Sequence, residues 1–353
     1  MLIGLVAGPW IPVPPVTYGG TERVVDSLAR GFVAAGHEVL LGAPSESSCP
    51  VPRVPGMRPA EPASLNCTLS ELSHVVRAYE GLQDVDIIHD HTMAGPLYLN
   101  RPDRVPLVTT MHGPLTAESA DIYRAAGRRG AVIAISRDQA SHAPDIPVTQ
   151  VIHHGMDVSS VPVGSGGGGY LCFVGRACPD KGLLEAIMIA REAGMPLRFG
   201  VKMREPAELR YFHEVIEPLL GPNEDFVGEV DDTGKYELMG EALAFLNPIQ
   251  WSEPFGLVMI EALATGTPVI GTAVGSAPEI IDHGRTGYLG PTERLAGFVQ
   301  EAESISRAAC RKAATERFGE ERMVNEHLWL FEKLLAGEML AGVPDTAHLH
   351  QNL

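Results

Sequence analysis

The chain has no cysteine pair at a redox or metal-ligating spacing. Its five cysteines, Cys49, Cys67, Cys172, Cys178 and Cys310, are odd in number and include no CxxC. This argues against a disulfide framework and against a zinc site, whose ligands cluster more tightly. Reduced thiols in a reducing compartment are the expectation. Basic charge is also scarce: 27 Lys and Arg stand against 44 Asp and Glu, a net charge of −17. Nonspecific nucleic-acid binding draws its free energy from Lys and Arg displacing counterions, so this balance disfavours it. The same deficit weakens adhesion to anionic lipid. No uninterrupted apolar run is long enough to span a bilayer. The opening MLIGLVAGPW is too short, and lacks the basic start, to be a secretory signal. A cytoplasmic location is expected. No internal repeat is visible.

What is present is 353 residues, 45% hydrophobic and 20% charged, a soluble composition on a chain longer than one core usually supports. Two domains are expected, and both open alike. Residues 2–7 read as an apolar strand, followed by a Pro-rich loop, Gly19-Gly20 and a helical pattern over 24–35. Strand, Gly-rich loop and helix make half a βαβ unit. Gly19 and Gly20 let backbone approach a diphosphate, or simply turn the chain. In the second half, residues 170–174 read as a buried strand, 175–182 as a loop carrying Arg176 and Lys181, and 183–193 as a helix. Backbone donors and two cations thus meet at a helix N-terminus. The loop is not a Walker loop, because Lys181 lacks the preceding Gly and the following Ser or Thr. Between the halves, VPVGSGGGG at 161–169 has the composition of a flexible linker. Its GxGxxG precedes a strand instead of following one, which sets aside a dinucleotide-dependent oxidoreductase.

Other expected strands lie at 39–43, 86–91, 105–111, 131–136, 148–152, 197–201, 226–230 and 244–248, and other helices at 69–79, 235–241, 295–309 and 320–335. The Pro-rich stretch 44–62 reads as a surface loop and 336–353 as a loosely held tail. His89 and His91 alternate along one strand and so point the same way. No third ligand is evident nearby, and a metal is not expected. Ligands of doubly wound sheets gather at the carboxyl ends of strands, which places His91 and His112 on the ligand side.

The densest signal is residues 249–271, IQWSEPFGLVMIEALATGTPVIG. Pro254 and Gly256 favour a turn, 257–264 are helix formers, Gly266 sits at a C-cap, and Pro268 precedes the β-branched Val269-Ile270. Glu253 therefore lies just ahead of a helix and Glu261 within it. The backbone N–H groups of Phe255, Gly256 and Leu257 at that helix start suit an anion or a hydroxyl.

The run EPFGLVMIEALATGTPVI resembles the donor-site signature of retaining glycosyltransferases of family four. The resemblance extends from Gly19 to Gly290 and is strongest in the second half. It implies an α/β GT-B fold of two facing Rossmann-like domains with a central cleft. Residues 1–160 would form the acceptor-side domain, 161–169 a linker and 170–319 the donor domain, with a helix and tail over 320–353 returning to the first domain. It implies transfer of a sugar from a nucleoside-diphosphate sugar to an unidentified acceptor hydroxyl, with retention and with neither metal nor cofactor. By position, Arg176 and Lys181 would clamp the diphosphate, Glu253 would hold sugar hydroxyls and Glu261 the ribose. Val230 would sit beside the base, Gly19-Gly20 would face the donor phosphates and the acceptor pocket, and His112 would lie against the transferred sugar. His91 would line the acceptor side. His154 stands where the family more often has asparagine. A glycan phosphorylase, a nucleotide-sugar epimerase or a non-catalytic sugar-nucleotide-binding subunit would use the same clamp and stays open as an alternative.

Overall fold

A computed structural model describes residues 1–16, 19–102 and 104–338. Short apolar runs build two six-stranded parallel sheets. The first holds β1 (Leu2–Val6), β2 (Glu38–Gly42), β3 (Ile87–Asp90), β4 (Leu107–Met111), β5 (Ala131–Ala134) and β6 (Val148–Val151) in the order β2-β1-β3-β4-β5-β6. The second holds β7 (Leu171–Arg176), β8 (Leu197–Lys202), β9 (Glu224–Phe226), β10 (Ala244–Asn247), β11 (Val269–Thr272) and β12 (Gly287–Gly290) in the order β12-β11-β10-β7-β8-β9. Strands such as IIHD, LVTTM and AFLN are buried along their whole length. That pattern belongs to a parallel sheet covered by helices on both faces.

The chain divides into two units, Met1–Met156 with Glu320–Leu353, and Asp157–Gly319. In the first, the helix Gly20–Ala34 buries Val24, Val25, Leu28, Ala29 and Phe32. The helix Glu320–Leu335 packs on it with Met323, Val324, His327, Leu328, Leu330 and Phe331, and the Phe32 and Phe331 rings lie 5.5 Å apart. In the second unit, Phe173, Leu183, Ile187, Phe199, Phe212, Leu246 and Ile270 form one core.

The division falls after Met156, ahead of the Gly-rich run expected as the linker. That run is bonded to the second unit: Gly164 N donates to Thr265 O (3.1 Å), Gly166 N to Gly240 O (3.0 Å) and Gly168 N to Glu241 O (2.9 Å). Arg307 Nε also donates to Gly164 O (3.0 Å). Glycine composition signals freedom only in a segment without such partners. Two expected elements differ in the structure. The strand expected over 226–230 is Glu224–Phe226, because Gly228 takes φ 88° and breaks it, so Val230 lies in the loop before the helix Asp232–Glu241. The single helix expected over 295–309 is a 3₁₀ stretch Thr292–Gly297, a helix Phe298–Ala302 and a separate helix Arg307–Phe318 capped by Ser306. The strand Gly287–Gly290 and the helix Ala117–Ala126 were not anticipated. Residues 339–353 of the expected tail lie outside the described residues.

Candidate active site

In each sheet the strand order reverses beside the first strand of its unit, between β1 and β3 and between β7 and β10. A crevice opens at the carboxyl ends there, because successive crossovers leave in opposite directions. The candidate residues collect at these ends.

In the second unit Arg176 is the last residue of β7 and pairs in register with Lys202, the last residue of β8. Between them lies Glu208, whose side chain is 3% exposed. Its Oε1 is 3.6 Å from Arg176 and 3.5 Å from Lys202. Its Oε2 accepts from the amides of Arg204 (3.0 Å) and Glu205 (3.2 Å). Burial opposes the Glu208 charge, but those amides and the two cations hold its pKa below the usual range. Arg176 is thus aimed by a buried carboxylate that the sequence analysis did not single out. Lys181 ends the 3₁₀ turn Pro179–Lys181. Its Nζ is ion-paired to Glu253 Oε2 and lies 5.4 Å from the Trp251 ring centroid.

Glu253 sits on the loop between β10 and the helix Leu257–Ala264. Its amide donates to Trp251 O (2.9 Å), and its carbonyl accepts from Ser276 N (3.1 Å). Gly275 supports this loop at φ 60°, where a β-carbon would stand 2.6 Å from both Glu253 N and Glu253 O. Only glycine fits there, both for its backbone conformation and for the close approach. The helix begins after Gly256, and its first amides have no intrahelical partner.

Glu261 lies one face further on, 9% exposed, in a helix whose residues Met259 to Ala264 are all buried. A carboxylate in such a place needs a charge partner. Lys235 Nζ supplies it at 2.6 Å to Oε1, each side chain being 11% exposed. Burial works against the Lys235 charge, but Glu261, Tyr236 and Asp232 outweigh it and raise its pKa. Only Oε1 of Glu261 is engaged by Lys235. Lys235 was read from the sequence only as part of a helix. Nothing local marks a lysine 26 positions before its partner.

In the first unit Gly19 precedes the helix Gly20–Ala34. A β-carbon on Gly19 would meet Pro15 Cβ and Glu22 Oε2 at 2.8 Å, so a side chain is excluded there. Glu22 is 6% exposed, and burial pushes its carboxyl up to about 7. His91 follows β3, and His112 follows β4. His91 Nδ1 and His112 Nε2 are hydrogen-bonded at 2.7 Å. Around them gather His89 (4.2 Å from His91, ring to ring), His154 (5.3 Å from His112, stacked at 18°) and His327 (5.1 Å from His89). Burial pushes all five imidazoles down, His112 to about 3 and His327 to about 4. The cluster is therefore neutral over the physiological range. Among the described residues no group of three or more His, Cys, Asp and Glu is arranged to hold a metal ion. The sequence analysis had named four members; His327 joins them only through tertiary packing.

Each half of the chain matches a family model: residues 18–160 that of Glycosyltransferase Family 4, and residues 164–319 that of Glycosyl transferases group 1. Between them they take in most of the chain. An N-acetyl-alpha-D-glucosaminyl L-malate synthase of Bacillus anthracis is 33% identical over 119 residues, covering 31% of this chain and 30% of that protein. AviGT4, a glycosyltransferase involved in avilamycin A biosynthesis, has a similar structure, with a TM-score of 0.71 and 26% identity over 95% of this chain and 98% of its own. HepE of Anabaena, solved in complex with UDP-glucose, matches with a TM-score of 0.72 and 19% identity over 96% of this chain and 100% of its own. No helix among the described residues is long and apolar enough to cross a membrane. The two six-stranded parallel sheets, the matched halves and the structural likeness agree, and the chain belongs to the GT-B glycosyltransferases, with a family-four first half and a group-1 second half.

Proposed function

We propose that the protein moves a sugar from a nucleoside-diphosphate sugar to an acceptor hydroxyl with retention of anomeric configuration. The observation that carries this reading is the pair of carboxylate–cation couples on neighbouring elements of the second unit, Lys181–Glu253 and Lys235–Glu261. Each has one carboxylate oxygen engaged by its lysine, leaving the other to accept from a sugar or ribose hydroxyl. The UDP-glucose complex of HepE supports a donor of this class.

In this reading Arg176 and Lys181 bind the diphosphate and counter the charge that grows as the C1–O bond breaks, where preorganised charge helps most. Glu253 holds hydroxyls of the transferred sugar and Glu261 those of the ribose. The amides of Phe255, Gly256 and Leu257 add hydrogen-bond donors, and Val230 lies beside the base. From the first unit, Gly19 and Gly20 offer backbone to the phosphates, His112 contacts the sugar and His91 belongs to the acceptor side. The acceptor oxygen bonds to C1 on the face that the diphosphate leaves, and its proton passes to a departing phosphate oxygen. No second carboxylate base is then required, unlike in glycoside hydrolysis. No cofactor takes part, and the reaction proceeds without a divalent metal.

The test is a thermal-shift screen against UDP-, GDP-, ADP- and TDP-sugars, because a ligand that binds only the folded state raises the melting temperature. It is followed by NMR of the anomeric proton in the product formed from the donor that binds. No shift with any sugar nucleotide would overturn the donor assignment. An inverted product would overturn retention.

A further inference from the structure

His91 and His112 share one hydrogen bond, at 2.7 Å between His91 Nδ1 and His112 Nε2. A neutral imidazole carries one proton, so one of these nitrogens donates and the other accepts. The rest of the cluster decides which. His91 Nε2 is buried without a partner. A buried N–H lacking an acceptor is rarer and costlier than a buried lone pair, so the His91 proton sits on Nδ1 and points at His112. His89 repeats the pattern beside it: its Nε2 bonds the Thr110 hydroxyl at 2.8 Å, while its Nδ1 is buried without a partner. Protonating either ring to the cation would create a buried orphan donor, in line with the downward push of burial on both. His112 must then accept at Nε2, and its own proton is left on Nδ1, which bonds to no described residue. Stacking with His154 keeps the His112 ring in that orientation.

We propose that His91 is a positioning residue that locks His112 in its Nδ1–H tautomer, so that His112 presents a neutral hydrogen-bond donor, and not a base, to an oxygen of the transferred sugar. The role of the sugar here rests on the function proposed above; the tautomer does not. A ring held this way donates to a hydroxyl oxygen or to oxygen gaining negative charge. It has no free nitrogen with which to take the proton of the attacking hydroxyl, and that proton must leave by another route.

The test is long-range ¹H–¹⁵N NMR on the whole protein labelled with ¹⁵N-histidine, with the His112 signals identified by their loss in His112→Ala. The wild type is expected to show a pyrrole-type Nδ1 and a pyridine-type Nε2 on His112, unchanged between pH 5 and pH 8. A pyrrole-type Nε2, or an imidazolium in that range, overturns the proposal. His91→Phe is expected to give mixed His112 tautomers and to lower kcat for UDP-glucose hydrolysis, or for hydrolysis of whichever sugar nucleotide binds in its place, by roughly five- to tenfold with donor KM little changed. His91→Asn, whose side-chain amide N–H stands near the place of Nδ1–H, is expected to restore both. If His91→Phe leaves the His112 tautomer unmixed, the lock is not made by His91. If the tautomer is as expected but His112→Ala hydrolyses donor as fast as the wild type, the lock stands and the placement of His112 at the sugar falls.

Discussion

Replacing Glu261 with Ala separates the charge compensation that its carboxylate performs from the ribose contact proposed for it. Oε1 compensates Lys235 at 2.6 Å, in a place where both side chains are 11% exposed. Removing one partner of a fully buried ion pair costs about 3–5 kcal/mol, because the other charge is left without compensation. Here Lys235 keeps Asp232 at 3.1 Å and the Tyr236 ring at 5.0 Å, and Asp232 is 43% exposed. The expected loss of folding stability is therefore smaller, about 1–3 kcal/mol. The proposed second job, accepting ribose hydroxyls, would serve intact donor and free nucleoside diphosphate alike. Losing a hydrogen bond to a charged group costs about 1.5–3 kcal/mol, or roughly ten- to a hundredfold in affinity, so Glu261→Ala should weaken both ligands by that factor. Glu253→Ala removes a group assigned to the sugar alone. It should leave nucleoside diphosphate affinity nearly unchanged while lowering turnover. Calorimetry on both variants with both ligands, at a temperature where each is folded by circular dichroism, provides the comparison. Equal losses of nucleoside diphosphate affinity in the two variants would show that the roles are wrongly divided. No loss in either would refute the donor site.

Transfer should continue in excess EDTA, since Arg176 and Lys181 are assigned the charge neutralisation that a divalent ion performs elsewhere; activity lost to EDTA and restored by manganese would overturn that assignment. Gly275→Val should cut turnover at least tenfold by displacing the Glu253 backbone, which a β-carbon would approach to 2.6 Å, and unchanged kinetics would show that this loop tolerates movement. Acid should destabilise the first unit: the folded pKa values of His327 (about 4) and His112 (about 3) lie below the unfolded value, so their contribution is present above about pH 6.5 and is lost as pH falls toward those values. Each fully titrating group changes stability by roughly 1.4 kcal/mol per pH unit, and His327→Leu should flatten the slope of urea midpoint against pH between 6.5 and 4.5; an unchanged slope would exclude His327 as a contributor.

Much of the fold was legible in the chain because its local signals agree with the tertiary outcome. The run at 257–264 lacks glycine and proline and is flanked by Gly256 and Gly266, so its limits read directly, and the helix is Leu257–Ala264. Strands buried on both faces, such as Leu107–Met111 and Ala244–Asn247, read as apolar runs. Gly287–Gly290 was missed because two of its four residues are glycine. The helix expected over 295–309 failed because Glu303 and Ser304 follow the end of one segment and Ser306 caps the next, a boundary that helix-forming neighbours on both sides conceal.

The sequence by itself marked the candidates for the chemistry, since Glu253, Arg176, Lys181 and His112 each sit at a turn or strand end that local patterning marks and Glu261 in the helix that follows such a turn. The tertiary structure alone decided what each of them touches. Lys235 reaches Glu261 across 26 positions, Lys181 reaches Glu253 across 72, and Glu208 joins Arg176 to Lys202 from a separate helix. His327, far along the chain, closes a cluster begun at His89. The physical reason is that ionisation and tautomer depend on burial and on neighbours within a few ångströms. Parallel-sheet topology supplies both by joining segments remote in sequence, so these states are properties of the fold and not of any stretch of the chain.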